Sequence, residues 1–441
     1  MSEQPGVVCD FVLRGAQELV TMAGAGALGI IDAGALLAHQ GRIVWVGCEA
    51  DLQSAVGGDG QIVRVADDAV VVDAAGACVL PGFVDAHTHA VFAGSRAGEY
   101  AERLEGRSYQ EILASGGGIN RTVAATRDAS PKTLAELTQR RLDSFVRHGT
   151  TTVEIKSGYG LDLETERRML AAAAVAHPAR RVLTFLGAHF VPDEFADRGD
   201  EYVDLVCEQM LPSLRGAAEF VDVFCDVGAF TVEQSRRVLV RARDLGYATK
   251  IHADELARSG GAMLAAEVGC VSADHLVHAT WEEVAALKQA NVVAVVLPGT
   301  SFTLGSDYAP ARGFIDAGLT VAVATDFNPG TCYCENMQMA VAFACQEMRL
   351  TVAEALRAAT LGGAAALGRA DELGSLVPGK ACDLIVLAAE KHVELPYHFG
   401  VNLVDGVVID GRPVVIASGP IIHGESAVNG VATMPRAEAI G

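Results

Sequence analysis

Along the middle of the chain, short runs of β-branched and apolar residues alternate with longer stretches in which apolar residues recur at helical spacing. Eight such runs are readable: 83–87, 151–156, 182–187, 221–225, 248–252, 271–275, 292–297 and 321–325. Nearly continuous apolar runs of this length suit strands that are covered on both faces. The stretches between them, among them 133–148, 165–177, 232–245 and 281–290, carry the i, i+3, i+4 recurrence of amphipathic helices. Eight strand–helix units predict a (β/α)8 barrel, although a doubly wound open sheet would show the same alternation. The reactive side chains favour closure. His87 and His89, 156–159, His189, His252 with Glu255, His275 and Asp326 fall at or just past the carboxyl ends of different runs, the face at which barrel active sites are assembled.

The flanks read differently. Residues 1–80 and 372–441 are short apolar runs broken by Gly and Asp, and Asp410-Gly411 between two of them is a hairpin signal. The expectation is a small discontinuous β-sandwich domain built from both ends, beside a barrel spanning 81–371. No internal repeat is visible.

At 441 residues and 50% hydrophobic, the chain has enough apolar material for a large core without disulfides. Its net charge of −21 is spread along the sequence, which argues against binding nucleic acid or anionic membranes. The first 19 residues show no basic stretch followed by an apolar one, and no apolar run approaches the roughly 18 residues needed to span a bilayer. The ten cysteines are scattered without paired spacing, as expected for reduced thiols in a cytoplasmic protein.

The chemistry gathers first at Pro81-Gly-Phe-Val-Asp-Ala-His-Thr-His89. Side chains at i and i+2 of a strand share a face, so His87 and His89 can hold one metal ion if other ligands converge there. His252, His275 and Asp326 end three further runs. Alone, His252 would be an ordinary core or surface histidine, Asp274 and His275 a local hydrogen-bonded turn, and Asp326 a helix cap. Their joint occurrence at strand ends outweighs those separate readings. Gly116–Gly118 lacks the Lys-Ser/Thr of a phosphate-binding loop and reads as a loop near the site. Cys332 and Cys334 lack the four-ligand geometry of structural zinc and read as loop variation.

This constellation resembles the amidohydrolase superfamily: His-x-His on the first strand, His on the fifth and sixth, Asp on the eighth. Two-metal members usually carry a carboxylated lysine on the fourth strand. Here that strand, Val221-Asp-Val-Phe-Cys225, has none and Lys156 ends the second, so the resemblance implies a single metal. The longer motifs are similar to those of the branch that opens the imidazolone ring in histidine degradation. They include Phe92-Ala-Gly-Ser-Arg96, Ser115-Gly-Gly-Gly-Ile119, Glu154-Ile-Lys-Ser-Gly-Tyr-Gly160, Gly187-Ala-His189, Ile251-His-Ala-Asp-Glu255, Ser272-Ala-Asp-His-Leu276, Ala324-Thr-Asp-Phe-Asn-Pro-Gly330 and Tyr397-His-Phe-Gly-Val-Asn402. After Gly330 the run Thr331-Cys-Tyr-Cys-Glu335 departs from that branch.

What the resemblance implies is hydrolysis of the ring amide of 4-imidazolone-5-propanoate to N-formimidoyl-L-glutamate. One Zn²⁺ or Fe ion would be held by His87, His89, His252 and Asp326, with Asp326 also moving a proton. His275 would hydrogen-bond the carbonyl oxygen or the attacking water, and Glu255 would contact the ring nitrogens and shuttle a proton. Arg96 would take the carboxylate, Tyr159 and His189 would add donors, and Asn328, Gly330 and Thr331 would complete the pocket. A small-molecule substrate and a homodimer are implied as well. Another cyclic-amide hydrolase, a deaminase of aminated heterocycles and a non-catalytic scaffold of the same fold are the alternatives.

Overall fold

The computed structural model describes residues 7–24, 28–57, 60–107, 111, 117–416 and 421–423. Ser115 and Gly116 of the glycine motif, and the last 18 residues of the expected terminal domain, lie outside the described residues. The strands in chain order are β1 (Val7–Val20), β2 (Ile30–His39), β3 (Arg42–Cys48), β4 (Val63–Asp73), β5 (Cys78–Pro81), β6 (Phe83–Asp85), β7 (Thr150–Lys156), β8 (Arg180–Ala188), β9 (Phe220–Cys225), β10 (Ala248–Ala253), β11 (Ser272–His275), β12 (Val293–Val296), β13 (Val321–Val323), β14 (Leu384–Leu387), β15 (Val404–Ile409), β16 (Arg412–Ile416) and β17 (Ile421–His423).

Strands β6 to β13 pair in sequence order, all parallel, in one eight-stranded sheet. Its two ends meet just past β6 and β13, where His89 N–H donates to Phe327 O at 2.8 Å and Asp326 N–H to His87 O at 3.1 Å. The sheet is therefore a barrel, with the first and last strands joined through the residues that carry the candidate chemistry. All seven residues of β7 are buried, Glu154 and Lys156 included, so the run is covered on both faces as a barrel strand must be.

Several of the outer helices start where the sequence supplies side-chain caps. Ser130, Asp162, Thr231 and Thr280 each accept a hydrogen bond from the backbone three residues on, and Thr231 and Thr280 complete capping boxes with Gln234 and Glu283. The helix expected over 165–177 spans Leu163–Ala173 instead. Pro178 disfavours helical backbone at His177, whose ring is fixed outside the helix by Asp143 at 3.0 Å and by Ala179 N–H at 3.0 Å.

The terminal segments form a separate nine-stranded mixed sheet, ordered β16-β15-β14-β5-β1-β2-β3, with β4 branching from β1 and β17 pairing with β4. Strand β1 is buried on both faces: Phe11 and Leu13 pack with Leu384 and Val408, while Val12 packs with Leu37 and Val63. The Asp410-Gly411 turn has φ of 49° and 69°, the left-handed pair that a tight hairpin between β15 and β16 demands. Strand β5 lies in this outer sheet and β6 in the barrel, with Gly82 alone between them. Pairing of β5 with β14, together with Gly82 N–H donating to Asp383 O at 3.0 Å, ties the start of the barrel to the far end of the chain.

Candidate active site

Histidines 87, 89, 252 and 275 and Asp326 converge at the carboxyl end of the barrel, and all five are buried. One potential ligand atom from each of His87, His89 and His252 lies within 4.8 Å of the other two, and His87, His275 and Asp326 form a second such triad. Asp326 Oδ1 is 3.5 Å from His87 Nε2 and 3.6 Å from His89 Nε2. Backbone φ is 74° at His275, 51° at Asp326 and 54° at Asp254. Left-handed backbone at non-glycine residues costs of order 1–3 kcal/mol each and persists where surrounding structure enforces it; His275 and Asp326 line the cavity, while the Asp254 carboxylate caps the backbone at Ser259, Gly260 and Ala262.

The donor set fits a metal ion. His87 Nε2, His89 Nδ1 and His252 Nε2 are buried without a hydrogen-bond partner among the described residues, a costly state that metal ligation would relieve. Burial pushes the His87, His89 and His275 rings well below the usual imidazole range, and neighbouring cationic groups push them further. They are thus neutral, as ligation requires. Three imidazoles and a carboxylate suit a divalent metal.

Behind the cluster lies a fully buried ionic network that the sequence did not reveal. His87 Nδ1 donates to Asp274 Oδ2 at 2.6 Å, and His252 Nδ1 approaches Asp222 Oδ2 at 3.1 Å. Lys156 Nζ sits 2.7 Å from that Asp222 oxygen, 3.6 Å from that Asp274 oxygen and 2.9 Å from Glu154 Oε1, while Lys250 Nζ is 2.9 Å from Glu154 Oε2. Burial alone would lower the pKa of Lys156; Asp222, Glu154 and Asp274 reverse this and hold it above its ordinary value. Lys156 is therefore a charged brace between the two carboxylates that orient His87 and His252. Asp274 also accepts from Ser272 Oγ at 2.6 Å within β11, and its other oxygen reaches across the barrel to His87, so it is more than the partner of His275 in a local turn.

A cavity of about 660 Å³ opens over the cluster. It is lined by His89, His252, His275 and Asp326, by Arg96, Tyr159, His189, Glu255, Asn328, Gly330 and Thr331, and also by Arg103, Ile119, Phe224 and Leu256. Of the sequence-predicted residues His87 alone does not line it; it sits deeper. A shallower depression around Arg215, Phe220 and Tyr247 holds none of the candidate residues.

The cavity residues are held from behind. Glu255 N–H and Leu256 N–H donate to Asp226 Oδ2 at 2.7 and 3.0 Å, and the Glu255 carboxyl faces His275 Nε2 at 3.6 Å. Burial, then Asp326 and Asp226, raises the Glu255 pKa well above the usual carboxyl range. His189 Nδ1 donates to Gly158 O at 3.0 Å. Burial drops the pKa of this ring to about 3, so the neutral imidazole offers Nε2 as an acceptor, where the sequence reading expected a donor. Tyr159 is buried and its phenol is held protonated, a donor. Asn328 Oδ1 accepts from Gly330 N–H and Thr331 N–H at 2.8 and 2.7 Å, and its Nδ2 donates to Asp326 O at 2.7 Å. It shapes the loop more than it offers free polar atoms. Arg96 Nε donates to the buried Glu99 at 2.8 Å, and Glu99 also accepts from Gly118 N–H at 3.2 Å. Cys332 is a buried free thiol, and a Cβ on Gly299 would come within 2.7 Å of its sulfur, so its role in the loop is packing.

Comparison with known proteins places this site. The Amidohydrolase family profile matches residues 78–414. The chain is 49% identical to an imidazolonepropionase of Symbiobacterium thermophilum over 92% of this chain and 97% of that protein. It is 48% identical to one of Halobacterium salinarum, over 93% and 99% respectively. The chain belongs to the imidazolonepropionase family of amidohydrolases. It is accordingly a hydrolase, and the family together with the buried His/Asp groups points to a divalent metal. The imidazolonepropionase motifs noted in the sequence, among them Ala324–Gly330 and Ile251–Glu255, supply much of the cavity wall. Among solved structures, a zinc-bound adenosine deaminase from Xanthomonas campestris superposes with a TM-score of 0.71 at 22% identity, covering 93% of this chain and 94% of that one. A guanine deaminase from C. acetobutylicum does so at 0.62 and 16%, covering 91% and 99%. At these identities the likeness shows the shared fold alone. Among the described residues no helix is long and apolar enough to cross a membrane.

Proposed function

We propose that the chain hydrolyses the ring amide of 4-imidazolone-5-propanoate, giving N-formimidoyl-L-glutamate. The observation that carries this reading is the layout of the cavity over the cluster, in which a histidine–aspartate cradle and the Arg96 guanidinium border the same space as Tyr159, His189 and Glu255. A planar lactam with a carboxylate arm needs both ends of that arrangement. An aminated heterocycle without the arm would leave Arg96 unused.

His87, His89, His252 and Asp326 are the residues that would hold the ion, zinc or iron. When bound, it supplies Lewis acidity and an activated water at neutral pH. Asp326 is placed to take a proton from the attacking water as the water oxygen adds to the carbonyl carbon. The carbonyl–nitrogen bond then breaks and the departing nitrogen takes up a proton. Glu255, largely buried and held above the usual carboxyl range, is suited to carry that proton to the ring nitrogen. His275, neutral and 3.6 Å from Glu255, hydrogen-bonds the carbonyl oxygen or the water. His189 Nε2 accepts from a ring N–H, Tyr159 donates, and Arg96 grips the carboxylate through the guanidinium edge that Glu99 leaves open.

The test is to follow loss of the ultraviolet absorbance of 4-imidazolone-5-propanoate with purified protein before and after chelation. Chelator-sensitive consumption yielding N-formimidoyl-L-glutamate is expected. No turnover by demonstrably metal-loaded protein would overturn the reading.

A further inference from the structure

Arg103 is a cation at the cavity wall that the sequence reading did not use. It sits in the last turn of the helix Ala97–Leu104, which follows Arg96 directly. Arg96 and Arg103 are seven residues apart, two helical turns, so they share one face, and helical side chains lean back toward the amino terminus. The geometry brings both guanidinium groups to Gly330. A Cβ on Gly330 would lie 2.3 Å from Arg96 Nη1, and Arg103 Nη2 is 3.5 Å from Gly330 O.

Their electrostatic states differ. Arg96 donates to Glu99 at 2.8 Å, and that buried carboxylate, which Arg121 also approaches at 3.5 Å, offsets part of its charge. Arg103 makes no ion pair among the described residues; its contacts are the long bond to Gly330 O and the face of Tyr100 at 5.7 Å. In a chain with net charge −21, a guanidinium at a cavity wall with no carboxylate partner among the described residues is a specific feature. A carboxylate has about four acceptor positions, more than one half-occupied fork can fill.

We propose that Arg103 is a second carboxylate anchor, which with Arg96 holds the substrate's acidic arm between two guanidinium groups across Gly330. Arg96 supplies the fixed geometry and Arg103 the net positive charge. This inference rests on the substrate class named above. It makes Arg103 a specificity residue, selecting an anionic arm over a neutral one of the same length.

The experiment uses the metal-loaded full chain and two substrates, the imidazolone propanoate and the same ring with a neutral propyl arm. R103A is expected to raise KM for the acid on the order of ten- to a hundredfold, the effect of losing a hydrogen bond to a charged group. It should leave kcat within about threefold and KM for the neutral arm unchanged. R103K, which keeps the charge without the fork, should recover part of the loss. An equal loss on both substrates would make Arg103 a clasp on the Gly330 loop, and an unchanged KM for the acid would equally overturn the proposal. If the wild-type chain turned over neither ring, the hydrolase reading would fail separately. The anchor would then be decided by calorimetry with imidazole-4-propanoate and 4-propylimidazole: a preference for the acid that R103A abolishes supports it, and a preference that R103A leaves intact overturns it.

Discussion

His87 and Asp274 are joined at 2.6 Å through the histidine's Nδ1, which leaves Nε2 facing Asp326 at 3.5 Å. The carboxylate thereby fixes both the tautomer and the direction of the ring. Asp274→Asn should keep the fold and lower metal affinity by roughly ten- to a hundredfold. Competition with a chelator of known affinity measures this, and wild-type affinity in the variant would sink the orienting role.

Removal of the Lys156 ammonium would leave Glu154, Asp222 and Asp274 buried beside one another with Lys250 as the remaining cation. Lys156→Met should cost about 3–5 kcal/mol, the range for breaking a buried ion pair from one side. Denaturant unfolding of metal-free protein reads this directly.

Glu255→Gln should retain its metal and lose on the order of 10²- to 10⁴-fold in turnover, the usual contribution of a positioned acid–base group. Metal content by elemental analysis beside kcat separates the two effects. Wild-type turnover would end the proton-transfer assignment.

Gly330→Ala would set a methyl group against the Arg96 guanidinium, 2.3 Å from Nη1. The far end of an arginine can move aside, so little stability should be lost, while KM should rise by about tenfold as the fork is displaced. A thermal melt within a few degrees of wild type, taken with the KM, checks both halves.

Arg312 grips Glu354 at 2.7 and 2.9 Å, lowering the Glu354 pKa to about 2 with help from Thr351 N–H. A carboxyl depressed on folding stabilises the protein above its unfolded pKa of about 4.3 and loses that contribution as pH falls through the folded value. Glu354→Gln should therefore lower Tm at pH 7, and the difference from wild type should close between about pH 4.3 and 2.

Much of the fold was legible because most of the barrel strands are short and rich in apolar residues. The run read as 151–156 is β7 at 150–156, and 248–252 is β10 at 248–253. His87, His89, His252, His275 and Asp326 were legible because a barrel brings all strand ends to one face. The ionic network was not, because Glu154 and Lys156 read as two polar positions in a strand and Asp222 as a charge in another; only closure of the sheet makes them neighbours. Arg103 was hidden for a different reason: its helix lies past a loop, and its partner, Gly330, is more than 200 positions downstream. The acceptor role of His189 depended on a backbone carbonyl, which has no sequence signature.

The seam between the two sheets also orders events during synthesis. The first barrel strand starts one residue after β5, yet β5 gains its β14 neighbour only when the ribosome has nearly finished the chain. Long-range pairing of this kind is slow. The earliest-made ligands, His87 and His89, gain Asp326 only once β13 has been made, so a nascent chain stalled before β13 would present metal with an incomplete cradle.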